Sequence, residues 1–296
     1  DVQSLYMTNL LLIGLGSHAK RIYYPVCSKD GLNLDFKIVH AVDLDTKKDD
    51  ITGYFKQNGY PQIEVTYLSE NQKSCIKLSS GVVAMLDEIV KTKNITGVII
   101  STEPLAHVCY AEWALSSGLS VLMDKPVSTR ENAVNSLEAV EGILDDYKRL
   151  ENAYLKAKAK NPNVVFSLMA QRRFHPAFIK VKELIKEVFD KTNCPITSLQ
   201  SFHSDGQWRM PSEIVDQVYH PYCQGYGKCS HSGYHSIDIA PWLLEATESK
   251  GKEINNVDVF SNFLYPNDFL AQLNLNDYRG LFTDFDVVNK YSTKEL

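Results

Sequence analysis

GVIISTEPLAHVCYAEWALSSGLSVLMDKPV, running from Gly97 to Val127, decides the fold. Val98, Ile99 and Ile100 form a short β-branched apolar run, as a strand buried on both faces requires. Ser101-Thr102-Glu103-Pro104 breaks it. From Ala106 to Ser117 the apolar residues recur at helical spacing, and Gly118 stands where a C-cap glycine belongs. Ser120–Met123 is a second strand, ending in Asp124-Lys125-Pro126. In an open parallel sheet, ligands bind beyond the carboxyl ends of the strands. That rule puts Thr102 and Lys125 at one crevice. A lysine at a strand end, with proline fixing the next turn, is a candidate for chemistry.

Upstream, Leu10–Ile13 is a buried strand, and Gly14-Leu15-Gly16-Ser17-His18-Ala19 follows in the pattern G-x-G-x-x-A. The first glycine permits the tight turn, the second lets a pyrophosphate approach the backbone, and the third small residue lets helix pack on strand. A helix over 17–28, with Ala19, Ile22 and Val26 on one face, offers its first N–H groups and its dipole to the anion. Lys37–Val42 is the next strand. It ends at Asp43, 24 positions past Ala19, near the roughly 20 expected for a ribose-binding acid. A carboxylate there accepts ribose hydroxyls and repels a 2′-phosphate, which favours NAD over NADP. Lys47 and Lys48 pull the other way, and Asp43 and Asp45 also suit a simple turn. Residues 46–80 read as a loop-rich crossover with a short helix near 51–58. Val82–Thr92 is amphipathic and helical. Three βα units in succession mean a doubly wound parallel sheet.

Downstream, Ser128-Thr129-Arg130-Glu131 has the S-x-x-E pattern of a capping box. It predicts a long helix burying Val134, Leu137, Val140, Leu144 and Tyr147. Val164–Met169 is the last strand of the first domain, and Gln171–Pro176 is the boundary, giving domains 1–172 and 173–296. A helix follows (Phe178, Val181, Leu184, Ile185, Val188). Beyond it, Ile196–His203 and Val257–Leu264 alternate as strands, and His231–Ala246 is a helix. The second half therefore reads as α+β with an open, mainly antiparallel sheet.

Composition excludes several classes. The 296 residues are 44% hydrophobic and 23% charged, ordinary for a globular protein. A net charge of −5 gives no basic surface for nucleic acid. No apolar run approaches the roughly 18 residues that span a bilayer, and Leu10–Ile13 flows into the glycine motif as a strand does, not a signal peptide. Six scattered cysteines fit reduced thiols in a cytoplasm better than a disulfide framework. His220, Cys223, Cys229, His231 and His235 are ligand-type side chains, but their spacing matches no usual zinc pattern, so no metal is expected. Asp205, Trp208 and Arg209 suit a polyol site, Trp208 stacking on a sugar face; ordinary loop packing suits them equally. Arg172 and Arg173 fit an anionic substrate group, and a solvated surface or a structural ion pair equally well.

Four blocks together resemble the glucose–fructose oxidoreductase, inositol dehydrogenase and rhizopine-catabolism (Gfo/Idh/MocA) family. They are Gly14–Ala19, Ser101–Pro104 with His107, Asp124-Lys125-Pro126, and Ser232-Gly233-Tyr234-His235-Ser236-Ile237-Asp238. The resemblance covers most of residues 10–245. It implies a dinucleotide-binding domain, a second domain whose sheet pairs subunits into a homodimer or homotetramer, and reversible oxidation of a secondary alcohol on a sugar, cyclitol or similar polyol. Position by position it implies that Lys125 and His235 are catalytic. Thr102, Pro104 and His107, with Ser101, lie beside the nicotinamide. Asp238 joins the substrate and catalytic groups. Three departures stand out: Asp124 replaces the E-K-P glutamate, His231 occupies the place of an aspartate four residues before the histidine, and the family's members run longer at the C-terminus. Hydride transfer needs a base for the hydroxyl proton, and histidine suits it because it titrates near neutrality. Residues 231, 235 and 238 share a helix face, so His231 and Asp238 could both tune His235. The departure at 231 also keeps open a catalytically inactive, dinucleotide-binding sensor of the same fold.

Overall fold

A computed structural model of the chain describes residues 8–28, 35–72, 76–133, 135–202 and 232–262, with residues 276 and 280. The chain divides into two compact units, Asp1–Met169 and Ala170–Leu296. The first is built on a six-stranded sheet: β1 (Thr8–Ile13), β2 (Phe36–Leu44), β3 (Glu64–Leu68), β4 (Ile95–Ile100), β5 (Ser120–Met123) and β6 (Phe166–Leu168). Every pairing is parallel and the order is β3-β2-β1-β4-β5-β6. Chain direction across the sheet reverses beside β1, where β4 takes its other edge. This is the Rossmann order, whose ligand crevice opens at that reversal.

Strand alternation divides the core in two. Leu11, Ile13, Val98, Ile100, Val121 and Met123 face one side. There they meet α4 (Ser80–Lys93), α5 (His107–Ser116) and α6 (Leu137–Lys160). Leu12, Ile38, Ala41 and Ile99 face the other, against α1 (Ser17–Arg21), α2 (Tyr23–Ser28) and α3 (Lys48–Asn58). Helix α5 is buried almost all round, including Val108, Tyr110, Ala111, Trp113 and Leu115. It ends as its sequence predicts, with Gly118 at a φ of +75°.

Four sequence expectations about the first unit need correction. The helix over 17–28 is two short helices broken at Ile22, because Pro25 has no N–H for the Arg21 carbonyl and its ring crowds that oxygen. Its inward residues are Ala19, Tyr23 and Tyr24, and Val26 is exposed. The crossover 46–80 contains β3, the edge strand whose mixed polar sequence hid it. The Ser128 capping box does not open α6, which starts at Leu137 under an N-cap by Ser136, whose hydroxyl accepts from the Ala139 N–H at 3.2 Å. Helix α6 also turns a different face inward. Leu137, Val140, Leu144 and Tyr147 are exposed, whereas Asp146, Leu150 and Ala157 are buried. The shift is one residue, about 100° around the helix. Val134 lies outside the described residues.

In the second unit a single 3₁₀ turn (Gln171–Phe174) leads into α7 (Pro176–Thr192), capped by His175. Helix α8 (Tyr234–Leu244) follows the stretch outside the described residues and ends in a 3₁₀ turn, Glu245–Thr247. Residues 196–202 and 257–262, the described parts of the two expected strands, belong to no sheet ladder. A strand needs partners for its N–H and C=O groups, and no described residue supplies them.

Candidate functional site

Four strand ends define the carboxyl edge of the sheet in the first unit. Backbone bonds continue past the strands and hold the emerging loops together. The Gly14 N–H donates to Val42 O, Ser101 N–H to Ile13 O, and Asp124 N–H to Ile100 O, each at 2.8 Å. The loops therefore leave side by side: Gly14–His18 after β1, Asp43 at the end of β2, Ser101–Thr102 after β4, and Asp124–Lys125 after β5.

The two glycines of the first loop differ in what demands them. Gly14 has a φ of +90°, and a Cβ there would lie 2.4 Å from the Ser101 carbonyl oxygen. The fold itself requires glycine. Gly16 has an ordinary φ of −77°, and a Cβ there would meet no described residue within 4 Å beyond its chain neighbours. Neither its backbone nor its packing requires glycine. Ala19 is fully buried and lets α1 sit on the sheet.

Asp43 braces this loop. Its carboxylate accepts the Leu15 N–H at 2.6 Å on one oxygen and the Leu44 N–H at 2.7 Å on the other. Burial pushes its pKa up, opposed by those two bonds and by the charges of Lys20 and Lys47. A carboxylate has about four acceptor positions, so acceptor capacity remains. Of the two lysines weighed against NAD, Lys48 rests over the Tyr67 ring at 5.9 Å, and Lys47 adds its charge near Asp43.

The β5 loop is tied at several points. Asp124 is buried, accepting from Tyr23 Oη at 2.9 Å and from Ser101 Oγ at 2.8 Å. His18 Nε2 lies 3.5 Å from the same carboxylate, an ion pair whenever the imidazole is protonated. His107 is fully buried at the start of α5. Its Nδ1 is 2.7 Å from the Pro126 carbonyl and its Nε2 is 3.1 Å from that of Thr102, so it links the β4 and β5 loops. Burial holds its pKa down against the pull of those carbonyls and of Asp124. Its role is therefore to position the backbone, with no ring edge exposed to a ligand. Thr102 Oγ1 donates to the Glu103 carbonyl at 3.2 Å, and Pro104 opens the 3₁₀ turn before α5.

Past Lys125 and the cis Lys125–Pro126 bond, the loop is fixed to α6. Ser128 Oγ donates to Asp146 Oδ2 at 2.5 Å, and Arg130 reaches both carboxylate oxygens at 2.9 and 2.5 Å. Arg149 adds a 3.0 Å bond to Asp146 and a bidentate pair with Glu112 at 2.9 and 2.6 Å. Asp146 is only 3% exposed. This explains both failures in reading α6: Ser128 bonds to the helix flank and leaves its N-terminus, and the Asp146 face turns inward. Tyr23, Ser128, Arg130 and Asp146 were not singled out as site-supporting residues. The available signal was Asp146 itself, in register with Ile143, Leu150, Ala153 and Ala157.

In the second unit His235 is buried in the first turn of α8, its ring 3.9 Å from that of Tyr234. Arg173 and Asp238 bind each other: Nε to Oδ2 at 2.8 Å and Nη2 to Oδ1 at 2.5 Å. Of the alternatives for Arg173, the ion pair is the one observed. Asp205, Trp208, Arg209 and His231 lie outside the described residues, as do His220, Cys223 and Cys229. Among the described residues no group of three or more His, Cys, Asp or Glu could hold a metal ion, and no helix is long and apolar enough to cross a membrane. Among the described residues, Cys27, Cys109 and Cys194 are in no disulfide.

No protein-family model matches the chain, and no curated protein matches it. Solved structures do. GenD2 from gentamicin A biosynthesis, in complex with NAD, is 15% identical; the match covers 82% of this chain and 55% of that one, with a TM-score of 0.51. The aldose-aldose oxidoreductase from Caulobacter crescentus, complexed with glycerol, is 18% identical over 80% of this chain and 58% of that one, with a TM-score of 0.48. The scyllo-inositol dehydrogenase from Lactobacillus casei, with bound NAD(H) and scyllo-inositol, is 19% identical over 62% and 42%, with a TM-score of 0.40. The chain thus spans between two fifths and three fifths of the length of these structures. At these identities the likeness is one of fold, carried by GenD2.

Proposed function

We propose that this chain is an NAD(P)-dependent oxidoreductase of the Gfo/Idh/MocA kind, moving a hydride between a nicotinamide cofactor and a secondary alcohol of a sugar, cyclitol or related polyol. One observation carries the reading. Gly16 is a glycine that the protein does not need for itself, at the reversal point of a Rossmann sheet, beside a carboxylate with acceptor capacity to spare. An external group pressed against the backbone there gives a reason for glycine. The structural likeness to GenD2, solved with NAD, supports the same cofactor.

Gly14, Gly16, Ser17, His18 and Ala19 would hold the pyrophosphate, and Asp43 the adenine-side ribose. Ser101, Thr102, Pro104, Asp124 and Lys125, braced by His107, would border the nicotinamide, which when bound supplies or accepts the hydride. Lys125 donates a hydrogen bond to the alcohol oxygen and favours its negative charge as the proton leaves. His235 takes that proton as general base. His231, four positions earlier in the sequence, tunes it. Asp205, Trp208 and Arg209 line the polyol pocket, and the stretches 196–203 and 257–264 supply strands to a sheet that joins copies of the chain in a cytoplasmic homodimer or homotetramer.

The test is a titration with NAD and NADP followed by a polyol panel read at the reduced-cofactor absorbance. Gly16→Val should abolish binding with the fold intact, and Asp43→Ala should improve NADP relative to NAD. Lys125→Met should leave NAD affinity almost unchanged and lower turnover on the order of 100-fold or more. Unchanged binding in both cofactor-site variants would remove the dinucleotide reading. Tight binding with no turnover on any polyol would favour the sensor.

A further inference from the structure

We propose that a groove bounded by α4, α5 and α6 binds a single-chain amphiphile, its tail against the apolar lining and its anionic head on the lysines of the rim. The groove has a volume of about 530 Å³, within the roughly 300–1,000 Å³ of small-ligand sites. It lies wholly within the first unit, and none of the residues assigned above to the cofactor lines it. The proposal therefore stands apart from the dinucleotide reading.

Two helical stripes make its sides. Helix α5 contributes the face from Cys109 through Trp113 to Ser116, and α6 the face from Arg149 through Ala153 to Lys160. Each follows the three- and four-residue spacing of one helix side. Ala153 and Ala157, at successive turns of α6, leave space that a larger side chain would fill. Leu78, Val83 and Leu115 add apolar surface. The polar groups on the α5 side are already used. Trp113 Nε1 donates to Asp87 Oδ1 at 2.9 Å, and Ser116 Oγ donates to the Trp113 carbonyl at 2.7 Å. Arg149 holds Glu112 through both carboxylate oxygens. That surface offers a ligand apolar contact and no unpaired charge.

The rim differs. Lys77, Lys156 and Lys160 line the groove, and none makes a hydrogen bond or ion pair with a described residue. With Arg149 they set four basic residues on the groove against one acid, Glu112, in a chain whose net charge is −5. The dipole of α6 accounts for basic residues in its last turn, where Lys158 and Lys160 stand. Lys158 donates there to the Pro162 and Val164 carbonyls at 2.6 and 3.1 Å. The dipole does not account for Lys156, one turn before Lys160, or for Lys77, ahead of α4. An anionic head supplies their counter-charge, and the methylene stems of the lysines extend the apolar wall over the tail.

The experiment is calorimetric titration of the full chain with octanoate, octyl phosphate, octan-1-ol and acetate. Both octyl anions should saturate one site, and the tighter of the two names the head. Octan-1-ol keeps the tail without the charge and should bind about 10-fold more weakly. Acetate should not bind, and hexanoate should lose about 4-fold for each methylene removed. Lys77→Gln and Lys156→Gln alter exposed side chains, so the fold is kept, and each should weaken octanoate by roughly 5-fold or more. Lys148→Gln removes an exposed lysine of α6 outside the groove and should leave binding unchanged. No binding of either octyl anion at millimolar concentration, equal binding of octanoate and octan-1-ol, or equal losses in Lys156→Gln and Lys148→Gln overturns the proposal.

Discussion

The loops after β1 and β5 leave the same edge of one sheet and are held in opposite ways. The Gly14–His18 loop is fixed at its root by Gly14 against Ser101 and by Asp43 on the Leu15 N–H, and above Gly16 no described residue beyond its chain neighbours lies within 4 Å of a Cβ position. The Asp124–Arg130 loop is braced along its length by Tyr23, Ser101, His107 and Asp146. The difference separates two tasks. Under the proposed function, a backbone that receives a large ligand keeps its upper surface clear, whereas a loop that aims one side chain, Lys125, needs rigid support on every other side.

The largest test of this contrast compares the two glycines. Gly14→Ala forces a left-handed backbone on a residue with a Cβ and drives that carbon into the Ser101 carbonyl. It should lower stability by at least about 3 kcal/mol, combining backbone strain with overpacking. Gly16→Ala should change stability by no more than about 0.5 kcal/mol, as substitutions away from packed features do. Urea denaturation of both variants measures it. Equal losses would erase the distinction between a glycine for folding and a glycine for ligand.

Asp146→Ala comes next. It leaves Arg130 and Arg149 without their shared carboxylate and Ser128 without its acceptor. Breaking a buried ion pair costs about 3–5 kcal/mol, and the partial exposure of both arginines reduces this to about 2–3 kcal/mol. The β5 loop should loosen with it, read as faster amide exchange over residues 124–130 and unchanged exchange over 14–18. Uniform loosening would mean that the loops are not separately supported.

The smallest effect is in pH. Burial dominates both braces but acts with opposite sign. His107 has its pKa lowered by folding, so the stability it contributes is present above the ordinary imidazole range, near pH 6.5, and is lost as pH falls through the folded value. Asp43 has its pKa raised, so its contribution is present below the ordinary carboxylate range and is lost as pH rises through the folded value. Thermal midpoints should therefore fall from pH 7 toward 5 less steeply in His107→Gln than in the wild type. In Asp43→Ala the midpoint should change less between pH 3.5 and 5.5. A His107→Gln profile parallel to the wild type would show that the proton never matters to that brace.

Much of the first unit was legible because its signals are local. A β-branched run, a glycine at a fixed offset and a helical repeat are read within a dozen residues, and they placed β1, β2, β4, β5 and the loops between them. β3 escaped because an edge strand is half-exposed, and its residues 64–68 mix polar and apolar types. The inward face of α6 escaped for a different reason. Periodicity shows that a helix has an apolar stripe, but Ser128, Arg130 and Glu112 decide which side is buried by their bonds to Asp146 and Arg149.

The sequence by itself determined the parallel sheet, the glycine loop, the acid at the end of β2 and the lysine at the end of β5, since each is a short-range pattern with a short-range cause. Only the tertiary structure decided the roles of residues joined across long separations. His107 proved to be a buried brace, Gly14 proved to be required by its backbone and packing where Gly16 is not, and Arg173 proved to bind Asp238, 65 positions away. Such pairings follow from which surfaces meet when the chain packs, and no repeat or spacing along the chain encodes them.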